Sequence, residues 1–223
     1  MPDAPTQASS SPLAHQFDDL QQQHHSDELG MWLFLATEIM FFGGMFLAYT
    51  IYRTQDEAAF AAASHQLDLI LGTVNTAVLL CSSLTMALAV AAAESVQRRK
   101  CLIFLAVTMI LGSVFLGIKA VEYYHKYEHG LMPIFGLQFD WHGPSPGPAK
   151  MFFNLYFLMT GVHAVHMMIG LGLLLFLFMQ ASRGGLLGDH AAPVHLTGLY
   201  WHFVDNVWVF LFPLLYLIGA HQR

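Results

Sequence analysis

The chain has 223 residues, of which 56% are hydrophobic and only 11% are charged, and its mean hydropathy is +0.51. Because about 25% of the residues in a soluble globular domain are charged, this composition favours a membrane protein over a soluble one. The formal net charge is −6, and the nine Lys and Arg residues are scattered along the chain. No basic face for nucleic acid is therefore expected.

The chain divides into a polar segment and an apolar one. Residues 1–27 are rich in Gln and His, and we predict that they form a disordered cytoplasmic tail. Residues 28–223 are predicted to form one all-α domain of a polytopic membrane protein, a bundle of five transmembrane helices. About 20 apolar residues suffice to cross a bilayer. Five runs reach that length, at about 28–53, 67–94, 100–124, 150–182 and 195–221.

A basic turn predicts the orientation of these spans. Arg98, Arg99 and Lys100 fill the short connection between the second and third spans. The positive-inside rule places such a turn in the cytoplasm. The N-terminus is then cytoplasmic and the C-terminus lies on the outer side of the membrane.

The first span contains one carboxylate, Glu38, and no other acidic or basic side chain between 29 and 52. An ionisable group near the bilayer centre costs about 2.5–3.5 kcal/mol or more, so it generally faces protein or water and marks a functional site. The alternative is a protonated, hydrogen-bonded Glu that contributes only to packing.

The later spans bring polar residues together on helix faces. His163 and His166 lie three residues apart on the fourth span, as do His202 and Asp205 on the fifth. Neutral imidazole can bind a metal or haem. We favour interhelical hydrogen bonding, because a haem or zinc site needs further ligands at a matching depth.

Three other features have simple interpretations. Lys119 and Glu122 are three residues apart near the end of the third span, which is typical of an ion pair that stabilises a helix and whose lysine snorkels towards the interface. Residues 125–129 match the inverted zinc-protease pattern H-x-x-E-H, but no third ligand follows, and chance explains so short a match. Aromatic residues near span ends, such as Trp201, are expected at the membrane interface.

Five segments together resemble, in the correct order, subunit III of the haem–copper respiratory oxidases. The last segment is the most specific, since YWHFVDNVW is close to the Tyr-Trp-His-Phe-Val-Asp signature of that family. The longer members of the family have seven helices, and this chain resembles the short five-helix bacterial type. The five segments are 30–42, 71–83, 117–123, 160–166 and 200–208.

The resemblance implies an accessory subunit of a proton-pumping cytochrome c oxidase of the aa3 or caa3 type. Subunits I and II of such an oxidase hold the haem and copper, so this chain would bind no metal, carry no catalytic residue and pack on subunit I. The alternatives are subunit III of a quinol oxidase and the related accessory subunit of a nitric oxide reductase. A third possibility, independent of the resemblance, is an intramembrane metalloenzyme that uses His125, Glu128 and His129.

The resemblance also assigns roles to individual residues. Glu38 falls on the buried carboxylate of the family, which supports proton uptake or contacts lipid. The other polar positions would form an interhelical network. Besides subunits I and II, the implied partners are membrane phospholipids and a larger respiratory supercomplex, in the bacterial cytoplasmic membrane. The network residues are Asn75, Lys119, Glu122, His163, His166, His202 and Asp205.

Overall fold

The computed structural model describes residues 20–133, 139–183 and 186–218. Within these ranges the chain consists of helices joined by turns and loops, without a strand, so the predicted all-α class is confirmed. A short 3-10 turn, Gly188–His190, precedes the last helix. The helices are α1 (Leu20–Gln55), α2 (Glu57–Ser64), α3 (Leu69–Glu94), α4 (Arg98–Glu128), α5 (Pro146–Ser182) and α6 (Ala192–Tyr216).

Four of the described helices, α1, α3, α4 and α5, are long and apolar enough to cross a membrane, which fits a multi-pass membrane protein. α6 is 25 residues long but is not among these four. It includes the polar residues His202, Asp205 and Asn206 near its middle. The predicted number of five spans is therefore not confirmed.

The first helix begins earlier than the sequence predicts. α1 starts at Leu20, within the segment 1–27 that we predicted as a disordered tail. Hydropathy marks where apolar sequence begins, whereas a helix can continue into polar sequence, and Gln is a good helix former. Residues 1–19 lie outside the described part of the chain.

The connection between the first two spans contains a helix that the sequence analysis did not predict. The Asp56 carboxylate caps α2 by accepting a hydrogen bond from the Ala59 amide at 3.1 Å. The ring of Phe60 packs edge-on against Tyr49 of α1 and Phe152 of α5, with centroids 5.5 and 5.6 Å apart. The sequence analysis predicted only helices long enough to cross a membrane, and α2, with eight residues, is much shorter.

Helices α3 to α6 form the packed bundle, and α1 lies at its edge. α3 packs on α4 and α6, α5 packs on the other sides of α4 and α6, and α1 contacts α5 and α6. Most of the apolar side chains on α1 face outward, including Leu33 at 69% and Met40 at 78% exposure. The outer surface of α1 is therefore available to lipid or to another polypeptide.

Trp201 is the central side chain of the bundle and is fully buried, so it does not face outward as a residue of an aromatic interface belt would. Its indole N–H donates a hydrogen bond to Ser82 Oγ at 3.0 Å, which joins α6 to α3. A Cβ atom at Gly112 of α4 would lie 2.8 Å from the indole ring, and one at Gly170 of α5 would lie 2.9 Å from it. Both glycines therefore allow the helices to approach the ring closely.

We predict that Gly112→Ala destabilises the fold. The new methyl group would overlap the buried Trp201 ring, and overpacking of this kind costs about 1–3 kcal/mol. The free energy of unfolding of the purified full-length chain in detergent measures the effect.

Gly117→Ala is the matched control on the same helix, because nothing lies within 4 Å of its added Cβ. Ala is favoured over Gly in a helix by about 1 kcal/mol, so this variant should be neutral or slightly more stable. Equal stability of the two variants would contradict close packing at Gly112.

Candidate functional site

The most densely bonded group in the bundle is the carboxylate of Glu122 on α4. One oxygen accepts a hydrogen bond from Lys119 Nζ at 2.8 Å. The other accepts hydrogen bonds from the Tyr156 hydroxyl at 2.9 Å and the Tyr216 hydroxyl at 2.6 Å. Lys119 and Glu122 are only 5% and 4% exposed. The i, i+3 ion pair expected from the sequence is therefore present, but it is buried in the bundle instead of snorkelling towards the interface, and α5 and α6 each add a tyrosine to it.

Lys119 makes two further interactions with α6. Its ammonium donates a hydrogen bond to the Tyr216 hydroxyl at 2.5 Å and lies 4.4 Å from the centre of the Trp208 ring. A cation over an aromatic face is stabilised by about 2 kcal/mol or more when it is desolvated. The Trp208 indole N–H binds Thr76 Oγ1 of α3 at 3.0 Å. The cluster thus connects α3, α4, α5 and α6.

Glu38 forms a second polar contact, between α1 and α5. One of its carboxyl oxygens lies 3.1 Å from His166 Nε2, and the Glu38 side chain is 19% exposed. The other ring nitrogen, His166 Nδ1, lies 2.9 Å from the Val162 carbonyl oxygen. A carbonyl only accepts, so Nδ1 carries a hydrogen. Either an imidazolium then donates to the Glu38 carboxylate, or a neutral Glu38 donates to Nε2. The hydrogen of this contact can therefore belong to either side chain.

The Glu38–His166 pair borders an outward-facing groove of about 570 Å³ between α1, α5 and α6. Its walls are mainly apolar, and the Tyr200 hydroxyl donates a hydrogen bond to the His166 carbonyl oxygen at 3.0 Å. The Glu38 and His166 side chains therefore lie where the bundle meets the groove. The apolar side chains of the groove include Met31, Phe34, Ile169, Leu173 and Phe176.

A third group of polar contacts joins α3 to its neighbours. His202 Nδ1 lies 2.7 Å from Ser83 Oγ, between α6 and α3. The Asn75 side-chain N–H donates a hydrogen bond to the Phe115 carbonyl oxygen of α4 at 3.4 Å. These contacts are separate from the Glu122 cluster and from the Glu38–His166 pair.

His163 and Asp205 differ from the other predicted network residues in the described part of the chain. His163 is fully buried and both of its ring nitrogens are unpaired. Its ring lies between Phe115 and Trp208, with centroids 5.5 and 5.3 Å away. Asp205 is also buried, and its carboxyl interacts with the Ser83 hydroxyl, which also contacts His202. The structure thus divides the predicted network into three groups, with Asp205 beside the Ser83–His202 contact and His163 outside all three.

The described part of the structure brings no further metal ligand to the three residues of the metalloenzyme hypothesis. His125, Glu128 and His129 lie at the exposed end of α4. His129 Nδ1 lies 2.7 Å from the His125 carbonyl oxygen of its own helix. Across the described ranges, no three His, Cys, Asp or Glu side chains are placed as the ligands of a metal ion.

Sequence reasoning missed four residues that complete these groups. Tyr156 and Tyr216 bind the Glu122 carboxylate, Thr76 binds the Trp208 indole, and Ser83 binds His202. A hydroxyl in a span is inconspicuous, because Ser and Thr can bond their own helix backbone. One signal in the sequence could have indicated these partners. A charged residue inside a span, such as Glu122, needs hydrogen-bond donors from neighbouring helices.

Together the fold and these groups define a multi-pass helical membrane protein with buried polar contacts between its helices. The chain belongs to the cytochrome c oxidase subunit III family, whose family model matches residues 18–139 and 148–220. The family resemblance read from the sequence is thereby confirmed.

Relatives named "Probable quinol oxidase subunit 3" are similar to nearly the whole chain. The protein of Staphylococcus saprophyticus subsp. saprophyticus is 28% identical over 210 residues, which cover 93% of this chain and 98% of the relative. Those of Staphylococcus haemolyticus and Staphylococcus aureus strain USA300 are 26% and 27% identical over the same shares of each chain.

We predict that Glu122→Gln strongly destabilises the bundle. It would leave the buried Lys119 ammonium without a counter-charge, and breaking a buried ion pair by removing one partner costs about 3–5 kcal/mol. Lys119→Met together with Glu122→Gln should cost less than Glu122→Gln alone, because no buried charge remains unpaired.

The free energies of unfolding of the two single variants, the double variant and the parent form a double-mutant cycle that measures the coupling. Glu128→Gln is the control, since it removes an exposed carboxylate from the end of the same helix. Additive effects of Lys119→Met and Glu122→Gln would contradict the prediction.

Proposed function

We propose that the chain is the non-redox accessory subunit III of a haem–copper quinol oxidase. The observation that carries the proposal is the family match over most of the chain, together with similarity that covers 98% of relatives named quinol oxidase subunit 3. Those names favour quinol as the electron donor, so the expectation of a cytochrome c oxidase of the aa3 or caa3 type gives way to its alternative. No observation favours a nitric oxide reductase.

In this proposal, subunits I and II of the oxidase hold haem and copper, and this chain provides a rigid neighbour. The Lys119–Glu122 pair supports rigidity, because its hydrogen bonds join α4 to α5 and α6. The chain needs no redox centre of its own for this role, in which it stabilises the complex and sustains proton uptake by subunit I.

The Glu38–His166 pair supports a role in handling protons. The hydrogen of this contact can belong to either side chain, and the pair lies beside an open groove instead of in the sealed core. We infer that it helps to sustain proton uptake and the integrity of the complex during turnover. The apolar walls of the groove suit lipid chains, which agrees with the phospholipid contact expected at Glu38.

An outward-facing amide supports assembly with another polypeptide. Asn206 lies near the middle of α6, is exposed and has no hydrogen bond within the described ranges. Lipid chains cannot satisfy an amide, whereas a neighbouring helix can. We infer that this face of α6 packs against another oxidase subunit.

The proposal places the chain in a bacterial cytoplasmic membrane with five spans, α6 being the fifth. The length of α6, about 37 Å at 1.5 Å per residue, exceeds the hydrocarbon thickness of about 30 Å. The basic turn before α4 lies in the cytoplasm, which puts the N-terminus on the same side and the C-terminus outside.

We predict that a complex purified through this chain contains haem and copper and oxidises quinol faster than reduced cytochrome c. A reduced-minus-oxidised optical spectrum, subunit mass spectrometry and oxygen uptake with each donor make the test. Oxidation of cytochrome c but not of quinol would overturn the choice of donor. Recovery of no haem and no large multi-helix partner would overturn the proposed function itself.

We also predict that Glu38→Ala permits assembly but shortens the time for which the oxidase stays active during turnover. Removal of a polar group does not hinder insertion of a helix into the membrane. It would, however, eliminate the group that shares a proton with His166. The loss of oxygen-uptake rate during continuous turnover measures the effect.

Thr37→Ala is the control for this experiment. It removes a neighbouring polar group whose hydroxyl bonds only the Phe34 carbonyl of the same helix, at 2.7 Å. The turnover lifetime should match the parent in Thr37→Ala and be shorter in Glu38→Ala. An unchanged lifetime in the assembled Glu38→Ala complex would remove any functional role for this residue.

A further inference from the structure

A second outward-facing groove runs between α4 and α5, and its properties differ from those of the Glu38 groove. Its volume is about 560 Å³. Ala106, Ile110 and Ser113 of α4 form one wall, and Leu175 and Phe178 of α5 form the other. We call it the α4–α5 groove. The Glu38 groove uses other positions of α5, such as Ile169 and Leu173, on the opposite side of that helix.

The α4–α5 groove presents apolar surface along its length. The Ser113 hydroxyl is bonded to the Met109 carbonyl of its own helix at 2.8 Å, so it requires no partner from outside. From Ala106 to Val114 the groove follows α4 for about 12 Å, at 1.5 Å per residue. One leaflet of the hydrocarbon core is about 15 Å thick, half of the whole. The groove therefore has the polarity and length for the acyl chain of one leaflet.

One end of the groove is basic. Arg98 donates hydrogen bonds through Nε to the Ala181 carbonyl at 3.1 Å and through Nη2 to the Ser182 carbonyl. These bonds hold its positive charge where α4 begins and α5 ends. Arg183 caps the end of α5 and adds another cation there.

Arg99 lies on the groove-facing side of α4, about 10 Å along the helix from Ala106. Residues 99, 103, 106, 110 and 113 are separated by four, three, four and three positions, so they share one face of α4. The Arg99 side chain is exposed and forms no hydrogen bond or ion pair within the described ranges. It is therefore available to an anion at the end of the groove.

We propose that the α4–α5 groove binds one anionic phospholipid, with an acyl chain against Ala106, Ile110 and Phe178 and the phosphate at Arg98 and Arg99. The choice of a lipid rests on the combination of an apolar groove of one-leaflet length with cations at the end where a headgroup lies. The choice of an anionic lipid rests on charge complementarity. The site depends on the proposed membrane location but not on the electron donor of the oxidase.

Native mass spectrometry of the full-length chain, with the subunits that accompany it, tests the proposal. The probes are phosphatidylglycerol, which is anionic, and phosphatidylcholine, which is not, in equal amounts in mixed micelles. The parent should retain phosphatidylglycerol preferentially. Because one Lys or Arg near an anionic headgroup changes the affinity by about fivefold, Arg99→Gln should lower the ratio of bound phosphatidylglycerol to phosphatidylcholine by about fivefold.

Lys100→Gln is the matched control, because Lys100 is exposed in the same turn but lies about 100° around the helix from Arg99. It should leave the ratio unchanged. Ala106→Trp should fill the groove and reduce phosphatidylglycerol retention. Its control, Leu84→Trp, enlarges an outward-facing residue of α3 that is 62% exposed.

Two outcomes would overturn the lipid site. One is an equal effect of Arg99→Gln and Lys100→Gln on the lipid ratio, which would mean that only general surface charge matters. The other is a cross-link from Ser113→Cys to another oxidase subunit, which would mean that a polypeptide fills the groove. Recovery of haem and partner subunits from the same samples tests the proposed function separately, so the two failures are distinguishable.

Discussion

The bundle depends on the buried negative charge of Glu122. Its two oxygens receive hydrogen bonds from Lys119 of α4, Tyr156 of α5 and Tyr216 of α6. The Lys119 ammonium also lies over Trp208, whose indole binds α3. An unpaired charge in hydrocarbon is very costly. If one of these helices moved by one turn relative to the others, a hydrogen bond to a charged group would be lost, and this loss opposes the movement. The pair therefore fixes the register of the helices, and close packing around Trp201 then adds stability.

α1 is held in a different way, and the difference places the candidate functional group at the edge of the bundle. It contacts only part of the surface of α5 and α6, and its large apolar side chains face outward. The Glu38–His166 contact is a polar link between α1 and α5. This contact borders an open groove, whereas the Glu122 cluster is buried inside the bundle. The two polar groups thus occupy separate parts of the chain.

The sequence predicted the long helices, though not α2, and the Lys119–Glu122 pair, because both depend on neighbours along the chain. It could not predict that Tyr156 and Tyr216 complete the cluster, since they come from other helices. His163 and His166 illustrate the same limit. A spacing of three residues separates them by only about 60° around α5, yet His163 is sealed between aromatic rings and His166 reaches Glu38. When a helix is apolar on every side, periodicity does not reveal which face meets which neighbour.

The polar groups of the chain lie either inside the bundle or on its outer surface. Inside the bundle, the donors and acceptors of the Glu122 cluster bond to one another and leave little capacity for a substrate. Outside it, Glu38 borders one groove, Arg99 is exposed on the side of α4 that lines another, and Asn206 is exposed near the middle of α6. A polar group that faces hydrocarbon destabilises the protein unless a partner forms a hydrogen bond or ion pair with it. The arrangement therefore suits a chain whose interior provides rigidity and whose surface meets lipids and neighbouring subunits.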